Sequence, residues 1–134
     1  MNNNRQKKIA PRAATPETIN TKNVSINSIL LNNPKIKCVL QRTDEMFSRP
    51  VRLGDVPQTF ISGKIICEDL NEPKTGGLKL LTLAKSTEPL TLSANGKAYY
   101  GAALIVSFSR MGRIRDMTAE EIQTARAWLL RHRV

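Results

Sequence analysis

The turn at Asn95-Gly96 and the apolar run that follows it constrain the fold of this chain more than any other feature. Asn and Gly both accept a positive φ, so this pair favours a two-residue type I′ hairpin. The run from Ala98 to Phe108 is the longest apolar stretch, and it is followed at once by Arg110, Arg113 and Arg115. The pattern predicts a buried hairpin that continues into a basic elbow, residues 110–115.

The two-residue loop also predicts the register of this hairpin. Leu92 is expected opposite Tyr99, and Leu90 opposite Gly101. Further along, both faces of the second strand are apolar, so both must be covered by other parts of the chain. We expect the C-terminal helix to cover the face with three large side chains, those of Leu104, Val106 and Phe108.

A C-terminal helix is predicted over residues 118–132. Thr118 and Glu121 form the capping-box pattern, with Thr118 as N-cap and Glu121 three residues later. Within the helix, four apolar residues share one face: Ile122, Ala125, Trp128 and Leu129. This narrow stripe indicates packing on one face of a sheet.

Alternating apolar residues predict further strands at Lys35–Gln41, which is half-buried, and at Phe60–Cys67 and Leu78–Ala84, with an edge strand near Val51–Leu53. Gly63 suggests a bulge or a close backbone approach. Residues 24–31 fit either a strand or a helical turn. The expected fold is therefore α+β and mostly β. It is a small antiparallel sheet or partly open barrel of about five to seven strands, with one C-terminal amphipathic helix.

The N-terminal residues differ from the rest of the chain. Residues 1–22 carry five basic side chains and one acidic one, with few large apolar residues. Such a segment buries too little to offset its ordering entropy, so it is predicted to be a disordered basic arm. The remaining residues, 23–134, are expected to form a single β-rich domain.

The charge of the chain favours an anionic partner. The sequence has 21 Lys+Arg against 11 Asp+Glu, a net charge of +10. The excess is +4 in residues 1–22, +3 in residues 23–109 and +3 in residues 110–134. Guanidinium groups suit bidentate contact with phosphate. The predicted nucleic-acid-binding residues are Arg5, Lys7, Lys8, Arg12, Arg110, Arg113 and Arg115. Alternatively, the elbow arginines pair with Asp116, Glu120 and Glu121.

Catalytic and metal-binding patterns are not evident in the sequence. The chain has one histidine, His132, and two cysteines, Cys38 and Cys67, whose spacing fits no metal or redox motif. Both cysteines are predicted to be reduced core residues, and whether they lie close together stays open. Thr75-Gly76-Gly77 lacks the Gly-Lys-Ser/Thr ending of a phosphate loop. We therefore expect no enzyme activity, cofactor, metal or small-molecule substrate.

The location is constrained by what the chain lacks. Ala98–Phe108 is far shorter than the ~20 residues of a membrane span, and the polar start MNNNRQKKIA does not resemble a secretory signal. A cytoplasmic or virion location is expected.

In layout, a basic arm on a compact β domain resembles small viral coat and matrix proteins. This resemblance implies a self-assembling structural protein, a homo-oligomer that contacts nucleic acid or a nucleoprotein through sequence-independent phosphate contacts. RNA is favoured over DNA, although the sequence leaves the choice between RNA, DNA and lipid open. One alternative is an OB-like single-strand binder, which requires Tyr99 or Tyr100 to be exposed for base stacking. A second is a peripheral matrix-type protein on an anionic membrane surface.

Overall fold

The computed structural model describes residues 25–134, so the predicted arm over residues 1–22 lies outside the described residues. The elements in chain order are α1 (Ile26–Leu31), β1 (Lys37–Gln41), β2 (Arg49–Arg52), a 3-10 turn (Leu53–Asp55), α2 (Gln58–Ile61), β3 (Ile65–Asp69), β4 (Leu78–Leu83), β5 (Leu90–Ala94), β6 (Lys97–Tyr100), β7 (Ala103–Phe108), β8 (Ile114–Arg115) and α3 (Ala119–His132). The predicted class, α+β and mostly β with one C-terminal helix, is confirmed.

A six-stranded antiparallel sheet forms the centre of the domain. Its order is β2-β1-β7-β4-β3, and β8 pairs with β7 beyond the end of β1. Every residue of β7 is buried. Within the described residues the sheet does not close, since β2 and β3 stand at its two edges. It therefore matches the partly open sheet that the sequence predicts.

The predicted hairpin is correct at its turn but wrong beyond it. Asn95 and Gly96 have φ of 54° and 75°, and Leu92 lies opposite Tyr99 as expected. Leu90, however, pairs with Tyr100 instead of Gly101. The chain turns at Gly101, where φ is +83°, and β5 and β6 form a separate two-stranded sheet. β7 cannot continue the hairpin because β1 and β4 occupy its two sides.

The helix α3 covers the other face of β7 from the one predicted. The hydroxyl of Ser107 donates to Glu121 Oε2 at 3.0 Å, so the face with Ala103, Ile105 and Ser107 is turned towards α3. The Leu104 face is covered by the short helices instead. Phe60 of α2 lines a pocket together with Leu83 of β4. Leu83 is on the same face of β4 as Leu81, and Leu81 is the strand partner of Leu104. Both faces of β7 are apolar, so the sequence pattern does not distinguish them.

The predicted strand Phe60–Cys67 is wrong in its first half. Pro57 begins a helical turn, because its carbonyl accepts the amide hydrogens of Phe60 and Ile61 at 3.0 and 3.2 Å. The strand β3 starts only at Ile65. A Cβ on Gly63 would lie 2.6 Å from Leu83 Cδ2, so the closest neighbour of this glycine is a side chain and not the backbone that the sequence predicted.

Of the segment 24–31, for which the sequence allowed a strand or a helical turn, Ile26–Leu31 form the helix α1. Ser25 caps it by accepting the amide hydrogen of Ser28, and Ile29 and Leu30 are buried. The side chain of Asn27 donates to the carbonyl of Gly63 at 2.7 Å, which ties α1 to the end of α2. With helices on both sides of the sheet, β1 is buried from Cys38 to Gln41, so the prediction of a half-buried strand is wrong.

The C-terminal helix has the predicted extent and cap. The hydroxyl oxygen of Thr118 accepts from the Glu121 amide, and the Glu121 carboxylate accepts from the Thr118 amide. Ala125, Trp128 and Leu129 are buried against the sheet. Among the described residues there is no helix long and apolar enough to cross a membrane.

Candidate nucleic-acid interface

The basic elbow is the ordered tip of the β7–β8 hairpin. The amide of Gly112 donates to the Ser109 carbonyl at 2.9 Å, and the amide of Ser109 donates to the Arg113 carbonyl at 2.8 Å. Gly112 has φ of 81°. This is the three-residue hairpin loop in which a type I turn is followed by a left-handed residue. The arginines therefore project from a hydrogen-bonded turn.

Arg110 and Arg113 are exposed at this tip. Neither takes part in an ion pair within the part of the chain that the structure describes. Between them, Met111 is 77% exposed. A guanidinium with no carboxylate beside it offers its fork of N–H donors to phosphate.

Arg115 differs from the other two arginines because it has a carboxylate partner. Its Nη2 lies 2.7 Å from Glu121 Oε2, so the alternative that an elbow arginine pairs with Glu121 holds at this position. The same carboxylate accepts the hydroxyl of Ser107 and the amide of Thr118. Arg115 therefore connects the elbow to the first turn of α3, and its side chain remains 42% exposed.

A second basic group lies at the same end of the sheet. Lys37 and Arg52 are partners in the β1–β2 ladder, and Arg52 Nη1 donates to the Lys35 carbonyl at 2.6 Å. The Lys37 amide donates to Asp116 Oδ1 at 2.7 Å. Asp116 is the residue that follows Arg115 of the elbow. We call Lys35, Lys37 and Arg52 the basic corner. The sequence pattern does not predict this corner, because its members come together only through strand pairing. The local sign of it is the segment Lys35-Ile36-Lys37.

Many of the other basic side chains are neutralised locally. Without the five basic and one acidic residues of the arm, the described domain carries 16 Lys+Arg and 10 Asp+Glu. Ion pairs elsewhere in the domain are Arg42–Asp44, Arg49–Glu45, Lys79–Asp69, Lys97–Glu68 and Arg131–Glu72. Arg133 donates to the main-chain carbonyls of Thr43 and Glu45. Lys64, Lys74, Lys85 and Arg126 are also exposed and take part in no ion pair among the described residues. What distinguishes the elbow and the basic corner is that they bring five basic side chains without an ion pair to one end of the sheet.

The two tyrosines have different environments. Tyr99 is buried, and its hydroxyl donates to Glu68 Oε1 at 3.0 Å. Burial is the main cause that raises the pKa of Tyr99 to about 12, and the hydrogen bond to Glu68 is the second cause. Tyr100 is 49% exposed. One tyrosine ring is thus accessible for stacking.

The two cysteines lie in different strands and have different environments. Cys38 is buried, which raises the pKa of its thiol to about 12, whereas Cys67 is exposed, so the prediction of a core residue is wrong for Cys67. The strands β7 and β4 separate them by three strand spacings, about 14 Å, too far for a disulfide.

Burial lowers the pKa of His132, whose ring lies 4.3 Å from that of Trp128. Residues 25–134 contain no group of three or more metal-ligating side chains.

The four predicted arm residues Arg5, Lys7, Lys8 and Arg12 lie outside the described residues. In comparisons with known proteins, no family profile, curated protein or solved structure matches the chain.

Proposed function

We propose that this protein is a non-enzymatic, self-assembling structural protein that contacts RNA, or a nucleoprotein, through sequence-independent phosphate contacts. The observation that carries the proposal is the exposure of Arg110 and Arg113 on an ordered hairpin tip, without a carboxylate partner among the described residues. The basic corner extends this surface across the end of the sheet.

The side chains on this surface favour phosphate over bases as the contacted group. Arginine and lysine bind phosphate oxygens without reading sequence, whereas base recognition in single strands needs exposed rings. No aromatic residue lies in the elbow or the basic corner. The layout that resembles viral coat and matrix proteins favours RNA over DNA and a cytoplasmic or virion setting.

A salt titration of RNA binding by the full chain tests this proposal. Each phosphate contact releases counterions, so the logarithm of the affinity should fall linearly with the logarithm of the salt concentration. Deletion of residues 1–22, with five basic side chains, should lower that slope by up to about 3.5 for single-stranded RNA. Absence of binding at low salt would refute the nucleic-acid part, and a salt-independent affinity would refute phosphate contact.

Tyr100 supports a second candidate, a single-strand binder that stacks bases. Its ring is 49% exposed on β6. If bases stack on it, Tyr100→Ala should weaken binding about 10- to 100-fold and abolish fluorescence quenching by an oligonucleotide. Under the phosphate proposal the same variant binds RNA within about twofold of the unmodified chain, since one ring outside the basic surface contributes little.

A further inference from the structure

The two edges of the six-stranded sheet differ in the main-chain groups that they offer to a further strand. In an antiparallel ladder, alternate residues point their amide and carbonyl groups at the neighbouring strand, and the residues between them point theirs away. The Leu53 amide donates to the Ile36 carbonyl at 2.9 Å, and these residues continue the β1–β2 register by one pair. The main chain of Pro50 and Arg52 therefore points away from β1. Proline has no amide hydrogen, so the edge at β2 is protected against strand addition.

The edge at β3 has no such protection. The Ala84 amide donates to the Lys64 carbonyl at 2.8 Å, and this pair continues the β3–β4 register. Alternation along the strand then points the amide and carbonyl groups of Ile65, Cys67 and Asp69 away from β4. These six groups have no hydrogen-bond partner among residues 25–134. The row is a template for one more strand.

An open groove runs along this edge. The side chains of Cys67 and Asp69 lie on one face of the sheet and that of Glu68 on the other, yet all three line the same space of about 570 Å³. A space that contacts both faces of one strand lies against its edge. Ile26 of α1 and Lys97 of β6 also line it, and Lys97 pairs with Glu68. The groove therefore leaves the outward groups of β3 accessible to an extended strand.

A second copy of β3 can use every outward group of this edge. When Cys67 of one copy lies opposite Cys67 of the other in an antiparallel pair, Ile65 of each copy lies opposite Asp69 of the other. All three of these residues point outwards, so their pairs form six main-chain hydrogen bonds. Any shift from this register leaves some outward groups unpaired. The arrangement has the two-fold symmetry of a closed dimer.

The side chains of β3 favour the same antiparallel arrangement. Lys64 at the start of the strand is exposed and takes part in no ion pair within residues 25–134, whereas Glu68 lies near its end. In the register centred on Cys67, Lys64 of each copy lies diagonal to Glu68 of the other, within reach of a long side chain. Ile66, which is 43% exposed, lies diagonal to Ile66 of the other copy. Pairing thus joins opposite charges and covers an exposed apolar side chain.

We propose that two copies of the chain pair antiparallel along β3, with Cys67 at the two-fold axis, so that their sheets become continuous. The inference rests on the self-assembly part of the proposed function and gives that assembly a surface. It uses no residue of the elbow or the basic corner, so RNA binding and pairing are separable. One short strand from each copy covers less than the ~800 Å² per partner of a standard stable interface, so pairing is expected at tens to hundreds of micromolar.

Amide hydrogen exchange of the nuclease-treated full chain tests the pairing, with the dimer fraction measured by sedimentation velocity from about 5 to 300 µM. Salt of about 0.3 M screens the repulsion between copies of net charge +10. The amides of Ile65, Cys67 and Asp69 should exchange fast in the monomer and become protected as dimer forms. Those of Ile66 and Glu68 bond to β4 and should be protected at every concentration.

Two variants change the edge, each with a matched control. Cys67→Pro removes an outward amide and keeps every bond to β4, so it should raise the dissociation constant at least about tenfold. Cys67→Ser keeps that amide and should pair within about twofold of the unmodified chain. Lys64→Glu places like charges at both diagonals and should weaken pairing about tenfold. Arg126→Glu, an equal change of charge on an exposed residue of α3, should leave it within about twofold.

Several results would overturn the contact. These are a monomer at every concentration, a dimer whose outward β3 amides stay unprotected, or equal effects of Lys64→Glu and Arg126→Glu. Protection of those amides that is independent of concentration and is lost on deletion of residues 1–22 would assign the edge to the arm instead. If Cys67→Pro does not fold, the comparison of Lys64→Glu with Arg126→Glu decides.

Failure of this contact and failure of the proposed function give different results. A dimer that both Cys67→Pro and Lys64→Glu leave intact would refute the β3 contact and keep self-assembly through another surface. RNA affinity of Cys67→Pro, measured where both proteins are monomeric, should equal that of the unmodified chain. A chain that pairs along β3 but binds no RNA would refute only the phosphate proposal.

Discussion

Glu121 joins three parts of the structure through one carboxylate. Its Oε1 accepts the Thr118 amide at 2.9 Å, and its Oε2 accepts the Ser107 hydroxyl and the Arg115 guanidinium. The capping-box pattern predicts the first of these bonds. The other two require β7 and β8 to lie beside the start of α3, which local sequence does not specify.

Replacing Glu121 should therefore destabilise the domain more than a lost helix cap alone. Glu121→Ala keeps the Thr118 cap but removes the second bond of the capping box, from the Thr118 amide to Glu121 Oε1, and it leaves Ser107, which is buried, without its acceptor. We expect a loss of about 2–3 kcal/mol in the free energy of unfolding, measured by urea denaturation, with little of it from the partly exposed Arg115 pair. Glu120→Ala is the control, an exposed residue of the same turn with an expected change below about 0.5 kcal/mol. Equal effects at the two positions would contradict the role of Glu121.

Arg110 and Arg113 provide the residue-level test of the phosphate surface. Removing each should weaken RNA binding and lower the salt slope by about 1, and the double variant should lower it by about 2. Lys85→Ala is a control of equal charge on an exposed residue after β4, at the opposite end of that strand from the elbow. If Lys85→Ala lowers the slope as much as Arg110→Ala does, binding follows net charge rather than this surface.

At the scale of elements, the loop before β4 contacts the end of β7, directly before the elbow. The Phe108 amide donates to the Gly77 carbonyl at 2.7 Å, just before the hairpin tip. A Cβ on Gly77 would lie 2.7 Å from the Phe108 carbonyl oxygen, which is main chain and cannot move aside easily. The adjacent Gly76 has no positive φ, and a Cβ there would meet no atom of the described residues within 4 Å.

These neighbouring glycines make a matched pair. Gly77→Ala should cost about 1–3 kcal/mol of unfolding free energy, because the β4 loop must separate from the end of β7. Gly76→Ala should be neutral or should stabilise by about 0.4–1 kcal/mol, by restricting the unfolded chain. Thermal and urea denaturation of the two variants measure the difference. Equal stability would show that the two loops are not held together at Gly77.

The elements themselves are predictable to different degrees. The type I′ turn at Asn95-Gly96 and the capped helix α3 follow from interactions within a few residues, and both are confirmed. The sequence pattern predicts that β7 continues the second strand of the hairpin, whereas its partners in the structure are β1 and β4. Apolar residues on both of its faces identify a buried strand but not its neighbours.

Across the whole molecule, stability should decline at alkaline pH. Burial raises the pKa of Cys38 from 9.0 to about 12 and that of Tyr99 from 10.0 to about 12. Each group holds its proton more tightly in the folded state than in the unfolded state. Its contribution to stability is therefore complete below the unfolded-state pKa, 9.0 for Cys38 and 10.0 for Tyr99, and is lost as the pH rises to about 12. Urea denaturation should therefore show falling stability above pH 9.

The variant Tyr99→Phe isolates one of the two groups. It removes the contribution lost between pH 10 and 12, so its stability should fall less steeply with pH than that of the unmodified chain in this window. Below pH 9 the two proteins should keep a constant difference. Parallel profiles across pH 10–12 would show that the Tyr99 hydroxyl is not held in its neutral form by the fold.

Fold class, the final helix and the arginines of the elbow were accessible from the chain itself, because periodicity, capping and charge act between residues close in sequence. Only the folded molecule shows the partners of β7, the face that α3 covers and the basic corner. Each of these joins residues that are distant in sequence, such as Lys37 and Asp116, whose separation in the chain is 79. Nothing local distinguishes one distant apolar or charged partner from another, and packing of the whole domain selects among them.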